Sequence, residues 1–278
     1  MRFSSISPIT FKIAVKGHIF KRHARNFLDS NRYAKTFSDE TLPYKIYSHK
    51  SLIMRKLGNT NLQLQANKKV NLGIAAPKIT NILIRPQETF SFWSLVGPQS
   101  SRRGYLEGVT ISNDRISQDY GGGMCQFTNL LHWIVLHTPL TVTEYHSHDR
   151  FDLFPDYKRQ VPFGIGTSIY YNYLDYCFKN ETENTYQLCV WCDDTYLNGE
   201  IYCSNPLPMK YHVRCENEVF VMNDGVVYRN NEIYRVMNDK TTGIQLKREL
   251  LKRNRARVMY DYDLIPVPVE GMTKVVAI

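Results

Sequence analysis

Asp119-Tyr-Gly-Gly-Gly-Met-Cys125-Gln126-Phe-Thr-Asn-Leu-Leu-His-Trp133 is the stretch on which the reading of this chain turns. Gly121, Gly122 and Gly123 stand directly before it becomes helical. Three glycines in a row allow backbone conformations and close approaches that side chains forbid. From Cys125 to His137 the apolar residues Phe127, Leu130, Leu131, Ile134 and Val135 fall on one helical stripe, and Pro139 stands just past its end. A tight loop therefore opens a helix, and Cys125 sits in its first turn. There the positive end of the helix dipole favours a thiolate. The plainer alternative is that Cys125 is a small buried hydrophobe and that the glycines only permit tight packing.

The segments on either side differ in texture. Toward the N-terminus, Phe11, Ile13, Val15, Ile19 and Phe20 alternate with basic residues in a helical pattern. Leu42-Pro43-Tyr44-Lys45 reads as an extended or turn segment. A second helix is expected over Asn67–Leu83 from Val70, Ile74, Ile79 and Leu83, with a stop at Arg85-Pro86-Gln87. Glu88–Trp93 predicts a short buried strand or turn, and Val109–Gln118 a hairpin about Asn113-Asp114. Beyond the central helix, strands are expected at Leu140–Tyr145, Thr167–Phe178, Thr185–Cys192, Gly199–Cys203, Glu218–Met222, Val226–Tyr228 and Glu232–Met237. The expected class is α+β, a helical N-terminal third packed on a mainly antiparallel sheet, with Cys125 at the start of a central helix. The expected organisation is a basic helical segment over 1–66, a core with the Gly-rich loop over 67–160, and a mainly β part over 161–278 that belongs to the same fold unit. A soft boundary falls at Asp156–Phe163.

The net charge of +9 is uneven. Met1–Lys35 carries eight basic residues and one acid, and Lys247–Arg257 carries six and one. Such ends suit an anionic membrane surface, although a solvated helix face is the plainer explanation. No nucleic-acid motif accompanies them, so no nucleic-acid partner is expected. No window approaches the roughly 20 apolar residues of a membrane span, and Lys12, Lys16 and His18 interrupt the start. The expected location is cytoplasmic, with room for peripheral contact at the inner membrane face. The six cysteines are then expected to be reduced.

Thiol catalysis needs a nucleophile, a base and an orienting group. Cys125 supplies the first. His148 or His146, just after the next expected strand, supplies the second. Asp149 or Glu88 supplies the third, with Asp152 and Asp156 close by. Helix-start N–H groups and the Gln126 amide would serve as oxyanion donors. Gly121, Gly122 and Gly123 are the ligand-binding loop. A metal reading of Cys189-x-x-Cys192 with Cys203, His212 and Cys215 fails on spacing, because strand positions three apart face opposite ways and no second Cys-x-x-Cys exists. The glycine loop lacks both the Lys-Ser/Thr of a P-loop and dinucleotide spacing, so no cofactor is expected. Tyr170-Tyr-Asn-Tyr-Leu-Asp-Tyr176 reads as strand packing or as the lining of a sugar or peptide groove.

Pro86-Gln-Glu-Thr-Phe-Ser-Phe-Trp93, Val96-Gly-Pro98, Gly104-Tyr105 and above all Gly121-Gly-Gly-Met-Cys-Gln126 resemble the VanW family, named for an accessory protein of B-type vancomycin resistance. Ala34–Tyr44 and Asn129–Leu140 resemble its short form, which lacks secretion and peptidoglycan-binding modules. Two positions depart from the pattern. Gln87 stands where the family usually has glycine, and His146-Ser-His148 where longer members have His-Pro-His. The resemblance implies a link to glycopeptide resistance. The expected partners are a cell-wall precursor peptide or the resistance enzymes that make it. The site at Cys125 would then be either a thiol acyltransferase or amidase, or a non-catalytic binding module.

Overall fold

The computed structural model describes residues 8–28, 32–54, 62–112, 115–147, 150–156 and 160–271. Helix α1 (Pro8–Leu28) leads to strands β1 (Thr36–Phe37) and β2 (Tyr44–Leu52), then α2 (Leu62–Ala75), β3 (Ile82–Ile84), β4 (Thr89–Ser91) and the short α3 (Phe92–Val96). A hairpin of β5 (Glu107–Ser112) and β6 (Arg115–Tyr120) precedes α4 (Met124–Leu136), which is followed by β7 (Thr141–Glu144), β8 (Phe151–Asp152) and β9 (Cys177–Lys179). The C-terminal half continues as β10 (Tyr186–Cys192), β11 (Tyr196–Cys203), β12 (Met209–Asn223), β13 (Val226–Asp239), β14 (Gln245–Val258) and β15 (Val269–Glu270).

These strands form two five-stranded sheets, ordered β1-β3-β10-β11-β2 and β15-β12-β13-β14-β8, with a three-stranded sheet β4-β9-β7 and the hairpin beside them. All pairings are antiparallel except the two short edges, β12 with β15 and β14 with β8. The class is α+β, as expected. The N-terminal third is less helical than expected, because β2 runs for nine residues from the end of the segment read as extended or turn. The first sheet draws strands from residues 36 to 203, and so from all three stretches of the expected organisation.

Helix α4 is the centre of the molecule. Ten of its thirteen residues are buried, on nearly every side rather than along one stripe. A helix apolar all round is one enclosed by protein. Leu130 and Ile134 lie on β11, where a side chain at Gly199 would come within 2.6 Å of Ile134 Cδ1. Trp133 and Leu136 pack with Ile165 and with Ile233 of β13. The helix thus touches both large sheets.

Helix α2 starts at Leu62 and ends at Ala75, where Ala76-Pro77-Lys78 tightens into a 3₁₀ turn, so it lies toward the N-terminus of its expected span. Its buried face carries Gln65, Lys68 and Asn71 with Leu72 and Ala75, and Val70 points outward. Apolar periodicity misplaced this helix because polar groups occupy its inner side. The tyrosine tract is a turn, not a strand: Tyr170 and Leu174 exchange backbone hydrogen bonds of 2.9 and 3.0 Å around Asn172. The basic window Lys247–Arg257 lies in β14 rather than on a helix face. Arg248 and Arg253 are paired there with Glu216 and Glu232. Most of β14 is a sheet edge, and charge on an edge strand discourages pairing with other chains.

Two buried arginines pin segments to this frame. Arg22 of α1 meets Glu144 at 2.7 Å and Asp175 at 3.3 Å. Arg229 of β13 meets Asp152 at 3.2 Å, Glu218 at 2.9 Å and also Asp156, between the rings of Phe163 and Phe220.

Gly73 and Gly122 test the contact pattern. Nothing lies within 4 Å of a methyl group placed at Gly73, inside α2. Gly73→Ala should raise stability by about 0.5–1 kcal/mol through helix propensity. A methyl group at Gly122 would lie 2.2 Å from the carbonyl carbon of Gly108. Gly122→Ala should lower stability by about 2 kcal/mol or more. Urea unfolding of the two variants is expected to shift the midpoint in opposite directions.

Candidate functional site

The loop before α4 explains its three glycines separately. Gly121 and Gly123 have φ of +76° and +104°, the left-handed region that L residues avoid. Gly122 instead lies backbone against backbone on Gly108 of β5. Asn71, fully buried, ties this contact: its Nδ2 donates to Gly122 O at 3.0 Å and Leu106 O at 2.9 Å, and its Oδ1 accepts from Leu106 N at 2.8 Å. The stem of Lys68 crosses over Gly123, where an added methyl group would meet its Cγ at 2.3 Å. The hairpin and α2 therefore set where α4 begins.

Cys125 opens onto a cleft of about 310 Å³. Its polar lining includes His49, Ser51, Lys68, Gln126, Asn129 and Asp152, and its apolar lining Leu130, Phe151, Leu153–Pro155 and Val161–Phe163. The thiol is half-buried, and its sulfur accepts the backbone N–H of Ile169 and its own N–H. Burial pushes its pKa up, and these donors only partly offset the shift. The resting group is thus a thiol at neutral pH, not the thiolate expected from the helix dipole. Loss of hydration outweighs the dipole here.

The other expected residues divide. Gln126 is in the cleft, but its Nε2 donates to Ser51 Oγ at 2.9 Å and to Leu52 O at 2.8 Å. The amide expected as an oxyanion donor clamps α4 to β2. His146 does not line the cleft; its Nε2 lies 3.1 Å from Glu144 Oε1. Glu88 does not line it either. Its carboxylate accepts from Arg85 N at 2.9 Å and faces Arg32 at 3.5 Å, closing a turn. Asp152 and Asp156 belong to the Arg229 cluster. His148 and Asp149 lie outside the described residues. Among the described residues, no group of three or more His, Cys, Asp and Glu is placed to hold a metal ion, and no helix is long and apolar enough to cross a membrane.

His49 is the residue that sequence reading missed. Tyr47, His49, Ser51 and Ile53 alternate toward α4. Tyr47 accepts from Trp133 Nε1 at 3.0 Å and stacks on His137 at 3.8 Å, and Ser51 holds Gln126. His49 lies between these two anchors and 6.1 Å from the Trp133 ring. The period-2 pattern of residues 47–53 was the available signal.

Glu144 links α1, β7 and His146. Burial alone would raise its pKa, but hydrogen bonds from His146, Arg22 and the Asp175 N–H outweigh it and bring the pKa down to about 2 from 4.5. A depressed folded-state pKa stabilises above the unfolded value and is lost as pH falls toward the folded one. Stability should therefore fall by about 1–2 kcal/mol between pH 4.5 and pH 2, allowing for solvent screening. Glu144→Gln should remove most of that slope, measured as the urea midpoint at successive pH values.

The family profile described as "VanW like protein" matches residues 67–202, which include the glycine loop, Cys125, α4 and the first-sheet strands β10 and β11 up to Tyr202. The chain is 31% identical over 182 residues to the "Vancomycin B-type resistance protein VanW" of Enterococcus faecalis (strain ATCC 700802 / V583), covering 66% of each chain. It is 30% identical over 103 residues to the "Uncharacterized protein YoaR" of Bacillus subtilis (strain 168), covering 37% of this chain and 32% of that one. No solved structure matches the chain significantly. The glycine-framed cysteine, the unbroken Gly-Gly-Gly-x-Cys-Gln stretch and these matches place the chain in the VanW family.

Proposed function

We propose that this protein is an accessory factor of glycopeptide resistance that acts on a cell-wall precursor peptide through Cys125. The observation that carries the reading is the position of Cys125 in the first turn of α4, on the wall of a cleft that also holds a histidine, His49. The similarity to the enterococcal vancomycin-resistance protein supplies the biological context. The mixed lining suits a peptide, since it offers both hydrogen-bonding and apolar groups.

The reaction proposed is acyl transfer or amide hydrolysis. The thiol adds to a peptide carbonyl while a base, His49 or His148, takes its proton. The tetrahedral intermediate collapses, the C–N bond breaks, and the leaving amine takes that proton. A thioester remains on Cys125, and an acceptor amine or water releases it. Because burial raises the thiol pKa, the proton leaves only with substrate and base in place.

That same burial favours a second reading, a binding module in which Cys125 packs and never ionises. Intact-mass trapping with a D-alanyl-D-alanine-terminated pentapeptide separates the two. An acyl adduct on Cys125, lost in Cys125→Ser, is the expected result. Peptide binding with no adduct, and full resistance from Cys125→Ser, would establish the binding module instead. In the free protein, alkylation of Cys125 by iodoacetamide should rise with pH to a midpoint above the ordinary thiol value of 9.0. A midpoint below it would contradict the burial argument.

A further inference from the structure

A second, larger cavity of about 670 Å³ lies between the end of α4, β7 and strands β12–β14. Gly164 and Ile165 line both this cavity and the Cys125 cleft, so the two share one wall. The body of the larger cavity is hydrocarbon, from Leu136, Leu140, Val142, Ile233, Met237 and Leu251. His132 also lines it, and burial holds that ring's pKa down to about 3, so it is neutral.

The lining also carries charge. Arg235, Lys247 and Lys252 line the cavity, with Glu249 as the acid among them. Glu249 meets Lys247 at 2.7 Å and Arg235 at 3.7 Å. Arg235 also donates to Thr138 O at 2.6 Å, and Lys252 donates to Ser147 Oγ at 2.9 Å and Gly164 O at 3.2 Å. These bonds hold the cations in position, and one carboxylate leaves them a positive excess. Beside them, the β13–β14 hairpin exposes Ile244 and Leu246. A cationic excess in the lining of a hydrocarbon cavity is complementary to an anion with an aliphatic body. The volume falls within the ~300–1,000 Å³ of ordinary ligand sites.

We propose that this cavity binds a single-chain amphiphile with an anionic head, an aliphatic phosphate or carboxylate, its chain in the hydrocarbon body and its head at Arg235, Lys247 and Lys252. The proposal is independent of any reaction at Cys125. Titration calorimetry on the full chain, below micelle concentrations, tests it with decyl phosphate, decanoate, decanol and inorganic phosphate. Saturable binding of one decyl phosphate or decanoate per chain is expected, and the tighter of the two identifies the head group. Decanol should bind at least tenfold more weakly, and inorganic phosphate should show no saturation.

Lys247 is largely exposed, so Lys247→Glu leaves the core intact; Leu251, which is part-exposed in the cavity lining, can be enlarged to Trp to fill part of the cavity while every cation is kept. Each should weaken decyl phosphate at least tenfold with an unchanged melting temperature. Decanol binding as tightly as decyl phosphate, no saturable binding of either acid, or full affinity in both variants would overturn the proposal.

Discussion

The contact of Gly122 on Gly108 is the constraint on which the rest of the structure depends. Two backbones approach there more closely than any side chain permits, and the buried Asn71 amide donates to a carbonyl on each side of the contact, Leu106 O and Gly122 O. Because the hairpin and α2 are both tied into this junction, α4 can start in only one place. Its first turn then presents Cys125 to the cleft, and its length is enclosed between the two large sheets. A shift of the loop would move the thiol, the helix core and the clamp of Gln126 on β2 together.

The ion pairs act differently from this packing. Arg22 and Arg229 each gather carboxylates from elements distant in sequence, and each is buried. Removing a buried charge from water is costly, so such clusters add less net stability than their geometry implies. What they contribute is register. Arg229 holds the segment around Asp152 and Asp156, which lines part of the cleft, against β13. Arg22 holds α1 against β7 through Glu144. Three acids that sequence reading placed near the cysteine chemistry are thereby accounted for structurally: Asp152 and Asp156 by Arg229, and Glu88 by its turn.

Several elements were legible because local physics and tertiary packing agree. Gly123, the apolar run of α4 and Pro139 mark the central helix to within one residue at each end. The stretch of β10 also reads as strand, and so do the last five residues of β11, whose burial alternates. Other elements were not legible. Helix α2 buries Gln65, Lys68 and Asn71 on its inner side, where Asn71 bonds to the backbone of Leu106 and Gly122 and Lys68 covers Gly123, so hydrophobic periodicity misplaces it. Strand β14 is so rich in charge that it reads as a solvated surface, yet hydrogen bonding to β13 makes it strand. Gln87 adopts φ of +65°, the left-handed region that favours glycine. The turn persists because Glu88, buried beneath it, accepts from Arg85 N and fixes the four residues.

The sequence by itself determined the class of fold, the central helix, the family and the cysteine on which any chemistry centres. All of these rest on short-range relations: glycine before helix, apolar spacing, and an unbroken motif. Tertiary structure alone decided which groups meet that cysteine. It placed His49 from β2 in the cleft, turned Gln126 and His146 to other partners, and set the thiol in surroundings that favour its protonated form. Proximity across sheets and the loss of hydration depend on how distant segments pack; the period-2 pattern of residues 47–53 marks one face of β2 but not what that face meets.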